Sequence, residues 1–332
     1  MTRFKIKKTA AVEKGWKESL IDRINEEKAL PIVSYVVANN IIFGDNNELI
    51  EGWAYYTEYP FDDKRDLAHM TQYQAVRLRA ENHDNEHIKR EYLNFMKEAL
   101  KSIADEDLVE ELEEDLDAKR LTFSETAERL NFPDYDGGED NPLVLLARLP
   151  LPIYLTTSYH MFLEMALKRE GKAPRIEICY WNNQLSRIPS VFEEDENYHP
   201  SVQEPLVYHL HGSDAHPASL VLTEDDHLDF LVNVSRDWEG VPLIIRQALT
   251  DSALMLLGYQ LRRWDFRTVF RGLIRASLAE RRPKSIAIQL EDDDAQQQQY
   301  LKNYLDQEAK FEVYWGDTQN FMQAVWQAWQ AG

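Results

Sequence analysis

The chain has 332 residues, of which 44% are hydrophobic and 11% aromatic, so it can bury a large core in one sizeable domain or in one domain with an insert. Its 37 basic and 58 acidic residues give a formal net charge of −21, which argues against binding to nucleic acids or to anionic membranes. The single cysteine, Cys179, excludes an internal disulfide and a zinc site of four thiolates.

The start of the chain carries no targeting or anchoring signal that we recognise. No apolar run approaches the roughly 18 residues of a membrane span. The first residues lead into a polar helix instead of the apolar core of a signal peptide. We therefore expect a cytoplasmic protein that does not contact membranes.

The first 61 residues are predicted to hold a helix and the first strand of an α/β domain. Trp16, Leu20 and Ile24 have the spacing of an amphipathic helix. The following run, "LPIVSYVVANN" at residues 30–40, is interpreted as one buried strand that opens near Pro31.

Residues 62–140 are predicted to form an all-helical insert or cap. Apolar residues such as Leu67, Met70 and Leu78 recur at helical spacing through this region. The segment 131–142 is dense in Pro, Gly, Asp and Asn and is interpreted as a loop or hinge. Beyond it the pattern changes, so the insert is expected to end there.

Two polar clusters of the insert are considered as metal sites. His83 and His87 lie four residues apart and could share a helix face, but no third ligand is close in sequence. The acidic run around Leu108 and Leu112 is typical of a solvated helix face, with the leucines turned inward. We therefore expect no metal.

Residues 141–332 alternate strand-like and helical segments. This order predicts an α/β, Rossmann-like fold with a mostly parallel sheet and helices on both faces. In such sheets, ligands bind at the carboxyl ends of the strands, and small or hydroxylated residues there let a backbone approach a phosphate. Four strand ends fit this rule: Thr156, Thr157 and Ser158; His211, Gly212 and Ser213; Gly258, Tyr259 and Gln260; and Gly316 with Asp317.

Several of these residues have a structural alternative. His211 stands at a strand end and is interpreted as a working side chain, whereas His209, two residues earlier, is interpreted as a packed neighbour. Thr156 and Thr157 could instead cap a helix, and Asp317 could cap the last helix instead of contacting a ligand.

Five motifs together resemble the sirtuin-like NAD hydrolases of bacterial antiphage defence. They are "TTSYHMFLEMAL", "VYHLHGS", "LVLTEDDHLDFL", "LMLLGYQLRRWDFRTVFRGLI" and "YWGDTQNFM". The resemblance covers about residues 31–44 and 141–329 and implies NAD+ as the substrate. Protein-deacetylating sirtuins carry a four-cysteine zinc module, which a chain with one cysteine cannot form.

The resemblance also implies residue roles. His211 matches the histidine that lies over the nicotinamide ribose. Ser158 falls where relatives place an Asn that orients water. The motif usually ends Asn-Tyr-Asp, and here residues 158–160 are Ser-Tyr-His. His160 is expected to lie at the surface. The loops implied at the dinucleotide contain Ser34, Asn39, Thr156, Thr157, Gly212, Ser213, Gly258, Tyr259, Gln260, Gly316 and Asp317.

The sequence therefore predicts an NAD+ glycohydrolase that releases nicotinamide and ADP-ribose, or a cyclised product. Nicotinamide leaves as a neutral group, so the task is to hold the ribose and take a proton, which an imidazole does well. By the resemblance it would deplete NAD in abortive infection, restrained until a partner protein or homo-oligomer formation triggers it. The alternatives are an inactive NAD or ADP-ribose sensor, or an assembling scaffold.

Overall fold

The computed structural model describes residues 13–112, 121–135, 141–260, 263–274, 286–290, 296, 298–299, 303 and 311–331. Its seven strands are β1 (Ala29–Val33), β2 (Ile153–Thr156), β3 (Arg175–Ile178), β4 (Leu206–His209), β5 (Ala253–Tyr259), β6 (Ile286–Leu290) and β7 (Phe311–Trp315). They form one sheet in the order β3-β4-β2-β1-β5-β6-β7. All six strand pairings between described residues are parallel.

The helices of the first half of the chain are α1 (Glu13–Asn25), α2 (Tyr35–Phe43), α3 (Asn46–Tyr56), α4 (Leu67–Ala80), α5 (Asn85–Lys101), α6 (Glu106–Glu111), α7 (Phe123–Arg129) and α8 (Pro142–Arg148). Those of the second half are α9 (Phe162–Arg169), α10 (Val191–Glu194), α11 (Glu224–Arg236), α12 (Leu243–Asp251), α13 (Trp264–Val269), which continues as a π-helical turn (Phe270–Ile274), and α14 (Thr318–Ala331). Among the described helices, none combines the length and apolar composition needed to cross a membrane.

Both faces of the sheet are covered by helices. In β5, Met255 and Leu257 belong to one hydrophobic cluster, whereas Leu254 and Leu256 belong to the other. This alternation is the two-residue period of a strand buried on both sides. The first cluster includes residues of α2–α5 and α7–α9, and the second includes residues of α11–α13. The predicted Rossmann-like α/β class is confirmed.

The helices between residues 67 and 129 pack on the first of these clusters. Met70, Tyr92 and Phe123 are at most 1% exposed and belong to it together with Val33 of β1. Part of the predicted hinge, residues 136–140, lies outside the described residues. The proposed domain limits at residues 61 and 140 stay a prediction.

The interpretation of residues 30–40 as a single strand was wrong. The strand ends at Val33, and α2 begins at Tyr35. Ser34 is the helix N-cap: its hydroxyl accepts a hydrogen bond from the Val36 backbone N–H. A short polar side chain in this position starts a helix even inside an apolar run. The correction matters because the chain now turns at the end of β1, beside the candidate site.

Candidate active site

A cavity of about 490 Å³ lies at the carboxyl ends of β4, β2, β1 and β5. Each strand is followed by a lining residue: His211 after β4, Thr157 after β2, Tyr35 after β1 and Gln260 after β5. Residues 65–68, at the start of α4, form a further wall. The chain order reverses between β1 and β5, which is where ligands bind in open α/β sheets. Ligand sites typically measure about 300–1,000 Å³.

His211 lies on the wall of this cavity and is 3% exposed. Its Nε2 atom is buried and has no hydrogen-bond partner among the described residues. Burial, with a smaller contribution from His227, lowers the pKa of His211 well below its usual value. The ring is therefore neutral at pH 7, with one nitrogen that donates and one that accepts a hydrogen bond.

A second histidine, His227 of α11, lines the same cavity. Its ring meets that of His211 edge-on, with centroids 5.2 Å apart, and stacks on Trp264 at 5.9 Å. Burial lowers the pKa of His227 to about 4, so this ring is also neutral at pH 7. Its Nδ1 atom is buried and unpaired within the described chain. Two neutral imidazoles are thus in edge-to-face contact on the wall of the cavity.

A buried carboxyl group, that of Asp265 in α13, also lines the cavity. Asp265 is 2% exposed, and its Oδ2 accepts a hydrogen bond of 2.8 Å from the Ser34 hydroxyl. Its Oδ1 is buried without a partner in the part of the chain described. Burial raises the pKa of Asp265, while Arg263 acts in the opposite direction. Ser34, one of the predicted residues, therefore orients a lining residue.

Arg263 joins three segments around the cavity. Its guanidinium donates to Tyr35 Oη at 3.1 Å, to Asn47 Oδ1 at 2.7 Å and to Gln260 Oε1 at 3.0 Å. These contacts tie the start of α2, the start of α3 and the loop after β5. The planar fork of Arg suits such a multiple anchor.

Part of the chain is similar to known proteins. The family model described as "SIR2-like domain" matches residues 152–308. This stretch, which is similar to SIR2-like domains, is just under half of the chain. A segment of 90 residues, 27% of the chain, is 30% identical to NAD(+) hydrolase ThsA of Bacillus cereus (strain MSX-D12) and covers 16% of that protein. The match therefore spans a small part of the relative's length. The predicted resemblance to sirtuin-like NAD hydrolases is confirmed.

The "TTSYH" loop, residues 156–160, uses most of its backbone-facing hydroxyls to hold the fold. The Thr156 hydroxyl donates to the Val33 carbonyl at 3.1 Å and accepts from the Ser158 N–H at 2.9 Å. The Thr157 hydroxyl accepts from the Tyr35 N–H at 3.1 Å and also lines the cavity. Both threonines thus serve backbone groups, and Thr157 in addition faces the site.

Ser158 lies on the other side of this loop. It is 4% exposed and is not among the residues that line the cavity, whereas its neighbours Thr157 and Tyr159 are. Its carbonyl oxygen lies 2.7 Å from Nδ1 of His209. The described structure therefore does not bring the Ser158 side chain and His211 to the same cavity, and the role of Ser158 in aligning water stays a prediction.

Beneath the loop, His209 is fully buried and pairs with Glu164, with 2.5 Å between Nε2 and Oε1. Burial lowers the pKa of His209, but the Glu164 carboxylate and the Ser158 carbonyl outweigh it and raise the value above normal. His209 is a packed neighbour that fixes the loop, as the sequence indicated.

The possible surface position of His160 is wrong. This residue is 1% exposed and stacks on Phe162 with ring centroids 4.1 Å apart. Burial lowers the pKa of His160 to about 3. The side chain packs into the apolar core, which the hydrophobic neighbours in "YHMFLEM" could have indicated.

Two predicted glycines are required by close packing. Gly212 has φ +84°, and a Cβ there would lie 2.2 Å from the Ser219 carbonyl oxygen. Gly258 has φ +74°, and a Cβ would lie 2.3 Å from Val37 Cγ2. Ser213 belongs to the same turn as Gly212, since its N–H donates to the Ser219 hydroxyl at 3.0 Å. None of these three lines the cavity.

Gln289 of β6, which the sequence did not indicate, connects two predicted loops. Its Oε1 accepts from the Gly258 N–H at 2.7 Å and from the Thr318 hydroxyl at 2.8 Å. Its Nε2 donates to the Gly316 carbonyl at 2.7 Å. Gly258 and Gly316 are therefore joined by a buried amide.

The remaining predicted residues lie outside the cavity lining. The Asn39 amide donates to Asn46 Oδ1 at 2.9 Å. Tyr259 is 1% exposed and packs edge-on to Phe266. Asp317 accepts from the Asn320 N–H at 2.8 Å, which is the geometry of an N-cap for α14.

The sequence reasoning missed His227 and Asp265 as site residues. His227 and Phe230 lie three residues apart on the buried face of α11, so helical periodicity alone would have placed a histidine on the inner side. Asp265 follows the β5 loop by only a few residues and lies in the first turn of α13. Both signals were available in the motifs that carry the resemblance.

No metal site was found within the described part of the chain: no group of three or more His, Cys, Asp or Glu side chains is arranged to hold an ion. His83 and His87 stack at 4.0 Å, and His87 lies 3.3 Å from Glu91.

Proposed function

We propose that this protein hydrolyses NAD+ to nicotinamide and ADP-ribose. The observation that carries the proposal is the buried Nε2 of His211, unpaired within the described residues, on a cavity at the switch point of a SIR2-like domain. The similarity to a protein named NAD(+) hydrolase supports the same substrate.

The reaction needs little acid catalysis, because nicotinamide leaves as a neutral group. Water attacks C1′ of the ribose, the bond from C1′ to nicotinamide breaks, and its electron pair leaves nicotinamide neutral. The proton lost by the water passes to His211. Because burial lowers the pKa of His211, the ring is ready to accept a proton but is a weaker base than a free imidazole. Placement of the water and ribose must then supply most of the rate enhancement.

In the cell, we propose that this activity depletes NAD during phage infection and acts in the cytoplasm. An enzyme of this kind must be restrained, and activation by a partner protein or by homo-oligomer formation fits that need. The support is the resemblance to the defence-associated NAD hydrolases. A growth assay with phage, comparing the wild-type chain with His211→Ala, would test this role.

The second candidate is a domain that binds NAD or ADP-ribose without turning it over. Ser158 replaces the usual Asn and is absent from the cavity lining, which favours this alternative. Calorimetry separates the two: tight binding of NAD+ with no nicotinamide release, also in the assembled state, would favour the sensor.

The proposal is tested by incubating the purified protein, alone and in its activated assembly, with NAD+ and measuring nicotinamide by chromatography. We expect His211→Ala to lower the rate by about 100-fold or more, because the proton acceptor is lost. His160→Phe is the matched control, since it removes a buried histidine that does not line the cavity. Equal rates for the wild type and His211→Ala would reject the assignment.

A further inference from the structure

Two residues that line the cavity together with His211 each have a buried polar atom without a hydrogen-bond partner within the described ranges. The two atoms are Nδ1 of His227 and Oδ1 of Asp265. His227 is 6% exposed and Asp265 2% exposed, so neither group is open to bulk solvent. Native proteins leave few buried polar atoms unpaired, and each such atom calls for an explanation. A ligand that completes these hydrogen bonds is one.

Both groups are held rigidly. His227 stacks on Trp264 and meets the ring of His211 edge-on at 5.2 Å. Asp265 follows Trp264 in the chain and is anchored by the Ser34 hydroxyl at 2.8 Å. A site whose polar groups are fixed in advance loses little conformational freedom when it binds. The arrangement is therefore that of a recognition site, with orientation set by the fold.

We propose that His227 and Asp265 bind the hydroxyl groups of the ribose on which His211 acts. A hydroxyl donates to a carboxylate oxygen and can donate to or accept from a neutral imidazole, so it satisfies both unpaired atoms. A phosphate in this position would be repelled by the carboxylate. The inference rests on the proposed function, since it takes the NAD ribose next to His211 as the ligand.

The contribution of this ribose is measured by comparing ADP-ribose with ADP, which lacks it, in calorimetric titrations of the full-length protein. We expect the wild type to bind ADP-ribose about 10-fold or more tightly than ADP, as several hydrogen bonds are added. His227→Phe keeps the ring against Trp264 but removes both nitrogens. Asp265→Asn keeps the shape and removes the charge.

Each variant should lower the affinity for ADP-ribose by about 3- to 10-fold and leave the affinity for ADP unchanged. Tyr154→Phe is the matched control, because its buried hydroxyl is also unpaired among the described residues but does not line the cavity. A structural effect of the substitutions would lower the affinities for ADP-ribose and ADP equally. Unchanged preference for ADP-ribose in both variants, or equal loss for the two ligands, overturns the inference.

Failure of the two proposals can be told apart. If the wild type releases no nicotinamide, also in its activated assembly, but prefers ADP-ribose to ADP through His227 and Asp265, the hydrolase proposal fails and the ribose site stands. If nicotinamide is released and both variants keep the full preference, the ribose site fails and the hydrolase proposal stands. If the wild type binds neither ligand, the ribose site is wrong, and nicotinamide release alone decides on the hydrolase.

Discussion

Two strand ends that both look functional in the sequence differ in how their polar groups are used. After β2, the Thr156 and Thr157 hydroxyls bind backbone groups of the fold, and the Ser158 carbonyl meets His209. After β4, His211 has a buried polar atom without a hydrogen-bond partner among the described residues. The same holds for His227 of α11 and Asp265 of α13.

The difference separates residues that build the site from residues that act in it. A buried polar group with partners stabilises the native state, and its loss is seen in the free energy of unfolding. A buried polar group without partners lowers stability, and where its residue lines a cavity, as His211, His227 and Asp265 do, a ligand can supply the missing partner. Substitutions should therefore affect stability at the β2 end, except at Thr157, which also lines the cavity, and ligand binding at the β4 end.

The largest expected effect is on the pair that holds the β2 end. Glu164→Ala leaves His209 buried without its carboxylate and should lower the free energy of unfolding by about 3–5 kcal/mol. Denaturant unfolding at pH 6 measures this cost. Because the pKa of His209 is raised in the folded state, the pair stabilises the fold fully at a pH below the pKa of His209 in the unfolded chain. This stabilisation is lost as the pH rises through the pKa of the folded state. Arg23→Ala, which breaks the exposed pair with Glu26, should cost at most about 1 kcal/mol. Equal costs for the two would contradict the account.

Acid sensitivity comes next in size. The lowered pKa values of His160 and His227, about 3 and 4, mean that below pH 6.5 the unfolded chain binds protons that the folded chain does not. Each ring should then cost about 2 kcal/mol of stability at pH 5 relative to pH 7. His160→Phe should remove one such loss, and substitution of the exposed His199 should not. An unchanged difference between pH 7 and pH 5 in His160→Phe would show that His160 is not buried as a neutral ring.

Within the "TTSYH" loop, the hydroxyl of Thr157, which lines the cavity, should matter more for turnover than the hydroxyl of Ser158. Thr157→Val keeps the shape of the side chain and should lower the rate of nicotinamide release by about 10-fold, the equivalent of one lost hydrogen bond. Ser158→Ala, whose side chain does not line the cavity, should change it by less than about 3-fold. The reverse order would restore the water-aligning role that the resemblance implies for Ser158.

The smallest effect is expected at Asp317. Because its side chain caps α14, Asp317→Ala should cost about 1 kcal/mol of stability. The affinity of the Asp317→Ala protein for NAD+ should be unchanged, as measured by calorimetry. A loss of affinity with unchanged stability would instead place Asp317 at the adenosine.

The sequence was enough for the α/β class, because the alternation of apolar strands and helices is a property of local pattern. It also indicated His211, Thr157 and Gln260, which follow strands at the right edge of the sheet. It could not separate Thr157 from Ser158, since adjacent residues of a loop turn to opposite sides only once the loop is packed. The contact of Ser34 with Asp265 joins residues 231 positions apart, and no local pattern encodes such a pair.

The most direct test of the account is a crystal structure of the His211→Ala protein with NAD+ bound. We predict the nicotinamide ribose in the cavity at the ends of β4, β2, β1 and β5, with its hydroxyls on His227 and Asp265 and its C1′ facing position 211. NAD+ bound elsewhere, or its ribose lying against Ser158 with His227 and Asp265 still unpaired, would contradict the account.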